Sequence, residues 1–219
     1  MTFTTDTAQT AEGRDRETAR IRRTFDKSAS KYDKEMTRLE RLLFKGGREW
    51  VCRQAKGDVL EIAFGTGRNL PFYGADVRIT GIELSPAMLA IGRQRAAALG
   101  LGVDLRVGDA HDLEFPDERF DTVVCTLSLC TIPDDRRAVS EARRVLKPRG
   151  KLLLLEHVRS PSLPVRVVQR VIDPLAVRFG GDHLLREPLD YLGEHGFDVE
   201  QVERSKWGFV ERVAARRRP

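Results

Sequence analysis

Five short apolar runs, each separated from the next by a stretch of helical or turn character, constrain this chain more than any other feature. VLEIAF (59–64) and RITGIEL (78–84) are the first two. In the third, Val103, Leu105 and Val107 alternate with Asp104, Arg106 and Gly108, the pattern of a strand with one solvated face. TVVCTLSL (122–129) and KLLLLEHV (151–158) are nearly continuous, as strands covered on both faces are. Between them, Ser85 is a good helix N-cap, Pro86 a good first helical residue and Gly100 a good stop. Asp134 and Asp135 open a further helix, through Val139 and Leu146, that Pro148 and Gly150 close. Strand–helix alternation at these lengths predicts an α/β fold: a doubly wound, mostly parallel sheet, helices on both faces, right-handed connections.

The segment before the first strand reads differently. Residues 1–15 are a polar leader expected to be disordered. Over residues 16–54 Ile21, Phe25, Tyr32, Met36, Leu39, Leu42 and Leu43 recur at helical spacing, with Gly46 and Gly47 as an interruption. Residues 55–219 form the main domain, with an insertion at about 159–195 that departs from sheet alternation. No stretch approaches the roughly 18 uninterrupted apolar residues of a membrane span. The first residues lack the apolar core of a signal peptide, so a cytoplasmic protein is expected.

Three cysteines and four scattered histidines show no metal-ligand spacing, so no metal is expected. The net charge of +5 divides unevenly: residues 1–50 carry 12 basic and 9 acidic side chains, residues 51–142 carry 10 and 14, and residues 143–219 carry 16 and 10. A nucleic-acid enzyme concentrates basic and aromatic residues around its chemistry. Here the middle is acidic, and no nucleic-acid partner is expected.

In a doubly wound sheet ligands bind beyond the carboxyl ends of the strands, at the point where strand order reverses. That places weight on the first turn, Glu61-Ile62-Ala63-Phe64-Gly65-Thr66-Gly67. Gly65 and Gly67 permit a tight turn and a close backbone approach. Eighteen residues after Gly65, Glu83 ends the second run, where a carboxylate can accept hydrogen bonds from both hydroxyls of a ribose. A turn without ligand and a dinucleotide site compete with this reading. Against the dinucleotide, Leu70 stands where its third glycine belongs, and Glu61 suits a ligand bearing positive charge.

With these residues the chain resembles the class I S-adenosylmethionine-dependent methyltransferases, from about Phe25 to the C-terminus. EIAFGTG (61–67) is similar to the family's first turn, with Ala63 and Phe64 as departures; Phe64 is expected to narrow the pocket. Glu83 in GIELSPAML, Gly108-Asp109-Ala110, Phe115-Pro116 with Phe120-Asp121, and RVLKPRG (144–150) match in order. The resemblance implies that S-adenosylmethionine is the cofactor, with Glu61, Ala63, Gly65, Thr66 and Gly67 around its methionine portion and ribose. It implies Glu83 on the ribose hydroxyls, Leu84 and Met88 beside the adenine, Asp109 and Ala110 at the adenine amine, and Thr126 and Leu127 along the methionine part. FDKSASKYDKEM (25–36) resembles the lid of quinone and phospholipid methyltransferases, which makes 16–54 a helical lid and Tyr32 cofactor-proximal. The segments around Phe197–Arg204 and Phe209–Ala215 resemble the antiparallel hairpin that closes the family's seven-stranded sheet.

A sulfonium methyl group is already activated, so alignment is the main catalytic task. His157, closing the fifth run, is the candidate general base; a structurally hydrogen-bonded histidine fits the same position. In 159–195 apolar residues alternate with Arg166, Arg170 and Arg178, which suits a lipid or small apolar acceptor and peripheral contact with an anionic membrane. An ordinary amphipathic helix packed on the sheet gives the same pattern. Resemblances to thiol, phosphatidylethanolamine and menaquinone methyltransferases leave the acceptor open among a thiol, a phospholipid amine and a quinol. A catalytically silent homologue and a nicotinamide-dependent oxidoreductase are the alternatives.

Overall fold

The structure is a computed structural model, and its described residues are 11–219. Residues 1–10 of the expected leader lie outside the described residues, whereas residues 11–15 are already helical. Helix α1 spans Ala11–Leu43 and the short α2 spans Gly47–Cys52, divided by Gly46, which takes a left-handed φ of 72° as the N-cap of α2. Strands β1 (Asp58–Ile62), β2 (Arg78–Glu83), β3 (Asp104–Val107), β4 (Phe120–Thr126) and β5 (Leu146–His157) are all parallel. Helices α3 (Pro86–Ala98) and α4 (Asp135–Val145) lie between them in sequence, followed by α5 (Leu163–Gly180) and α6 (Leu189–Leu192). Strands β6 (Phe197–Ser205) and β7 (Val210–Arg217) complete a seven-stranded sheet ordered β3-β2-β1-β4-β5-β7-β6, with β7 antiparallel to both neighbours.

The two-residue period of the strands divides the core into two layers. Leu60, Ile62, Val123, Cys125, Leu152 and Leu154 face α4, packing on Ala138, Val139, Ala142 and Val145. Their neighbours Val59, Val124, Leu153 and Leu155 face the other way, onto Val51 of α2. Each such fully buried side chain is worth roughly 1.5–3 kcal/mol relative to exposure. Ser85 caps α3, its Oγ accepting from Met88 N at 3.2 Å, and Gly100 follows the C-cap with φ 67°. Helix α4 stops at Val145; Leu146 and Pro148, read as its end, belong to β5.

Strand order reverses between β1 and β4, and both continue into left-handed backbone at residues other than glycine: Ala63 and Leu127, each with φ 53°. Such a conformation costs roughly 1–2 kcal/mol outside glycine. It lifts the chain off the sheet at the one edge where a ligand can enter.

Candidate functional site

Beyond the carboxyl ends of β1, β2 and β4 lies a cavity. Its floor is Ala63, Gly65, Glu83, Leu84, Met88, Asp109, Ala110 and Leu127, and Ile21, Phe25 and Tyr32 of α1 form its roof. Ile21 and Ala29 are the only buried residues of this 33-residue helix, so apolar packing alone does not hold it across the opening. Three carboxylates do: Asp26, Asp33 and, toward α2, Glu40. Asp26 Oδ1 accepts from Ser85 Oγ at 2.6 Å and from Ala87 N at 3.3 Å, at the start of α3. Two helical turns on, Asp33 accepts from Thr66 Oγ1 at 2.6 Å and pairs with Arg68 and Arg95.

Glu83 is buried at the end of β2, and its carboxylate clasps the glycine turn: Oε2 accepts from Gly65 N and Oε1 from Ser85 N, both at 2.8 Å. Burial pushes its carboxyl above the usual range, against these amide bonds. At the other side of the floor, burial would raise Asp109, but the His111 ring and amide outweigh it and hold the carboxyl below its ordinary value. His111 Nε2 accepts from Asp134 N at 3.1 Å, and its Nδ1 lies 2.7 Å from Asp109 Oδ1. Tyr32 is pushed up to about 12, chiefly by burial, so its hydroxyl keeps its proton.

Glu61, Thr66, Gly67 and Thr126 do not line this cavity. The Glu61 carboxylate turns beneath the loop, accepting from Asn69 Nδ2 at 2.9 Å and Tyr73 Oη at 2.7 Å. Burial raises it to about 7 despite those bonds. Thr66 is committed to Asp33, and Thr126 Oγ1 accepts from Asn69 Nδ2 and Arg48 Nη1. Arg48, buried on α2, also donates to Asn69 Oδ1 at 2.9 Å and to Glu40 Oε1 at 2.6 Å, so one polar network joins α1, α2, the glycine loop and β4. Gly67 has a left-handed φ of 75°, where a Cβ would stand 3.1 Å from Phe64 and Leu70, and its role is the turn itself. Phe64 does not narrow the pocket: its ring packs between β2 and α3, where Gly81 and Gly92 make space for it.

His157 lies outside the first cavity and in the wall of a second that shares Phe25, Tyr32, Leu127 and Thr131 with it. His157 Nε2 stands 2.8 Å from Asp182 Oδ1, while Nδ1 has no partner. Burial lowers the ring's affinity for a proton, but the Asp182 hydrogen bond and charge outweigh it, leaving the pKa above the ordinary value. Cys130 completes a cluster whose polar atoms lie within 4.8 Å of one another, three metal-ligating residue types that the linear spacing does not reveal. Burial holds its thiol well above the usual pKa, hence protonated. His157 and Asp182 are also in the wall of an apolar hollow between α1 and α5.

Sequence reasoning missed Asp26, Asp33, Arg48, His111 and Asp182. For the first two a signal existed: Phe25-Asp26 and Tyr32-Asp33 repeat an aromatic–acid pair seven residues apart, on one helix face. Nothing in the sequence ties Asp182 to a histidine 25 residues earlier.

A buried carboxylate on a glycine turn and an ionised Asp109 across the floor of one cavity, at the point where strand order reverses, define the class: an α/β protein with a ligand site at its topological switch point. The family described as a methyltransferase domain matches residues 60–154. The chain is 39% identical over 118 residues to a phosphatidylethanolamine N-methyltransferase of Cereibacter sphaeroides, covering 53% of this chain and 58% of that one. To a thiol S-methyltransferase of Homo sapiens it is 31% identical over 179 residues, covering 78% and 72% respectively. A solved S-adenosylmethionine-dependent methyltransferase from Thermotoga maritima has the same fold, with a TM-score of 0.70 over 90% of this chain and 99% of that one at 23% identity. The chain spans about half the length of several curated relatives that it matches. It belongs to the S-adenosylmethionine-dependent methyltransferases, which sets the nicotinamide alternative aside.

S-adenosylmethionine is the cofactor of that family, and the donor set fits it: Glu83 offers buried acceptor lone pairs, Asp109 an ionised acceptor, and Gly65 an approach without side chain. No helix among the described residues is long and apolar enough to cross a membrane.

Proposed function

We propose that the protein methylates an apolar, lipid-like acceptor held in the chamber between α1 and α5, with His157 as the base and Asp182 as its orienting partner. The observation that carries this reading is continuity: the second cavity shares Tyr32 and Leu127 with the cofactor cavity and His157 and Asp182 with the apolar hollow. Glu83 and Asp109 would hold the two ends of the nucleoside, and Met88 and Leu84 would flank the base. Bound there, S-adenosylmethionine supplies a methyl group already activated on a sulfonium.

The chain's own work is then positional. Tyr32, Phe25 and Leu127 form the boundary between the two cavities and exclude water from it. A nucleophile presented beside them, in line with the methyl carbon, gains roughly 7–11 kcal/mol from orientation. His157 suits an acceptor whose nucleophile carries a proton at neutral pH: the neutral ring accepts that proton, and the Asp182 carboxylate stabilises the cation that forms. The apolar walls from Leu39, Leu43, Val165, Val168 and Ile172 favour an alkyl or acyl chain on the same molecule.

The test is transfer of labelled methyl from S-adenosylmethionine to a matched series: long- and short-chain thiols, phosphatidylethanolamine and a reduced quinone. Long-chain acceptors are expected to have the higher kcat/KM within a series. His157→Ala is expected to lower turnover roughly tenfold or more, with S-adenosylhomocysteine affinity unchanged. Equal turnover in that variant removes His157 from the mechanism, and indifference to chain length removes the apolar acceptor.

A further inference from the structure

Helix α5 sits on the protein by a polar contact and turns its apolar residues outward. Its one buried residue is Gln169, whose Nε2 donates to the carbonyls of Val158 at 2.8 Å and Leu184 at 3.0 Å, and whose Oε1 accepts from Ser160 N at 2.9 Å. Leu163, Val167, Val171, Leu175 and Phe179, four residues apart, are 57–71% exposed. On a helix of 3.6 residues per turn that interval keeps them on one slowly drifting stripe. Val168 and Ile172 flank it, about half exposed. The packing of an ordinary surface helix is thus inverted, and an apolar stripe along an 18-residue helix is a surface that something covers.

The charges around the stripe indicate what. Residues 159–180 contain four arginines against one acidic residue, Asp173, and the Asp173 carboxylate is turned inward to accept from Leu184 N at 2.7 Å. Arg170 is exposed and forms no ion pair among the described residues, while Arg178 lies over the Phe179 ring. A second copy seated on this face would bring a second arginine-rich face against the first, with Asp173 already turned inward on each. A surface of anionic lipid headgroups instead meets arginines at its plane and apolar side chains below it.

We propose that α5 docks on an anionic bilayer, its stripe inserted among the acyl chains and Arg170 and Arg178 at the headgroups. Val168 and Ile172 both flank the stripe and line the apolar hollow that leads to His157, so docking sets the mouth of the acceptor chamber against the membrane. Leu39, itself exposed, lines the same hollow from α1. An acceptor dissolved in the bilayer then enters between α1 and α5 without crossing water. This last step rests on the proposed function; the docking does not.

Docking is measured without cofactor or acceptor, by sedimenting the full chain with vesicles of equimolar phosphatidylglycerol and phosphatidylcholine or of phosphatidylcholine alone. The probe variant is Val167→Ser/Val171→Ser/Leu175→Ser, exposed positions outside every cavity wall described above. Affinity for the anionic vesicles is expected to exceed that for neutral ones roughly tenfold, and to fall by a similar factor in the variant and in high salt. The variant is expected to methylate a short, water-soluble acceptor as the wild type does. Absence of binding to anionic vesicles overturns the proposal, as does equal binding by the variant. A dimer in light scattering that the variant dissociates, without vesicle binding, assigns the stripe to a second copy and also overturns it. Vesicle binding by a protein that shows no preference for long-chain acceptors leaves the docking standing and removes the acceptor reading alone.

Discussion

The Glu83→Gln substitution tests the geometry of the cofactor cavity most directly. Glu83 receives Gly65 N on one oxygen and Ser85 N on the other, each at 2.8 Å, and each oxygen keeps a lone pair for a ligand. Two ribose hydroxyls donating to that carboxylate contribute roughly 1.5–3 kcal/mol each, as bonds to a charged acceptor do. Glutamine keeps one oxygen and points an NH2 at the other backbone amide, so it loses the charge, loses one acceptor and sets two donors face to face. With one neutral acceptor retained, the expected loss in S-adenosylhomocysteine affinity is about 2–5 kcal/mol, or roughly thirtyfold to a few thousandfold. Calorimetric titration reads this, with thermal unfolding to show that the variant still melts in one cooperative step. A ligand lacking the 2′-hydroxyl sharpens the test, because removing that hydroxyl costs affinity in the wild type and much less in the variant. Affinity within threefold of wild type in a cooperatively folded variant would refute the ribose assignment.

Three other perturbations address the neighbouring groups. Asp182→Asn removes the charge that holds the His157 pKa above its ordinary value; the acid limb of kcat/KM is expected to move to lower pH while kcat falls, and an unmoved limb separates the two residues. Glu156 is buried with Oε2 unpartnered and its pKa raised to about 7, so its stabilising contribution is present below about 4.5 and lost as pH rises through 7. Glu156→Gln keeps an acceptor for Ser128 N and Leu129 N without that loss, so its stability relative to wild type is expected to rise by about 3 kcal/mol from pH 4.5 to 8, read by denaturant unfolding. Arg48→Met orphans the buried Asn69 Oδ1, while Glu40 keeps Arg68 and Thr126 keeps Asn69 Nδ2, and chemical denaturation is expected to show about 1–3 kcal/mol of destabilisation.

The sheet was legible because its information is local and periodic. Val59 and Leu60, or Leu152 to Leu155, need only a covered face on each side, and the run of apolar letters records that. The caps of α3 were legible for the same reason: Ser85, Pro86 and Gly100 act within a few residues of their own positions. Glu61 shows where such reading stops. A carboxylate before a glycine turn looks like a ligand group, yet which side of the loop it faces is decided by Asn69 and Tyr73, 8 and 12 residues away. Phe64 is the same lesson in packing, since its direction is set by two glycines on other elements, Gly81 and Gly92.

Helix α1 carries the point furthest, because its apolar periodicity gave the correct element and an incomplete idea of what holds it. Its stripe of Phe25, Tyr32, Met36 and Leu39 faces the two cavities instead of the sheet core. What fixes the helix is a row of carboxylates, Asp26, Asp33 and Glu40, each seven residues after the last: Asp26 holds the start of α3, Asp33 the glycine loop and α3, and Glu40 the glycine loop and α2. A seven-residue interval is two turns, so the three lie along one side. Contacts of this kind are weaker than apolar burial and are screened by salt where exposed. They leave α1 with a lower cost of local opening than the sheet beneath it. The cavity is therefore closed by an element that opens more readily than the sheet, which is what a cofactor that must enter and leave beneath Phe25 and Tyr32 requires.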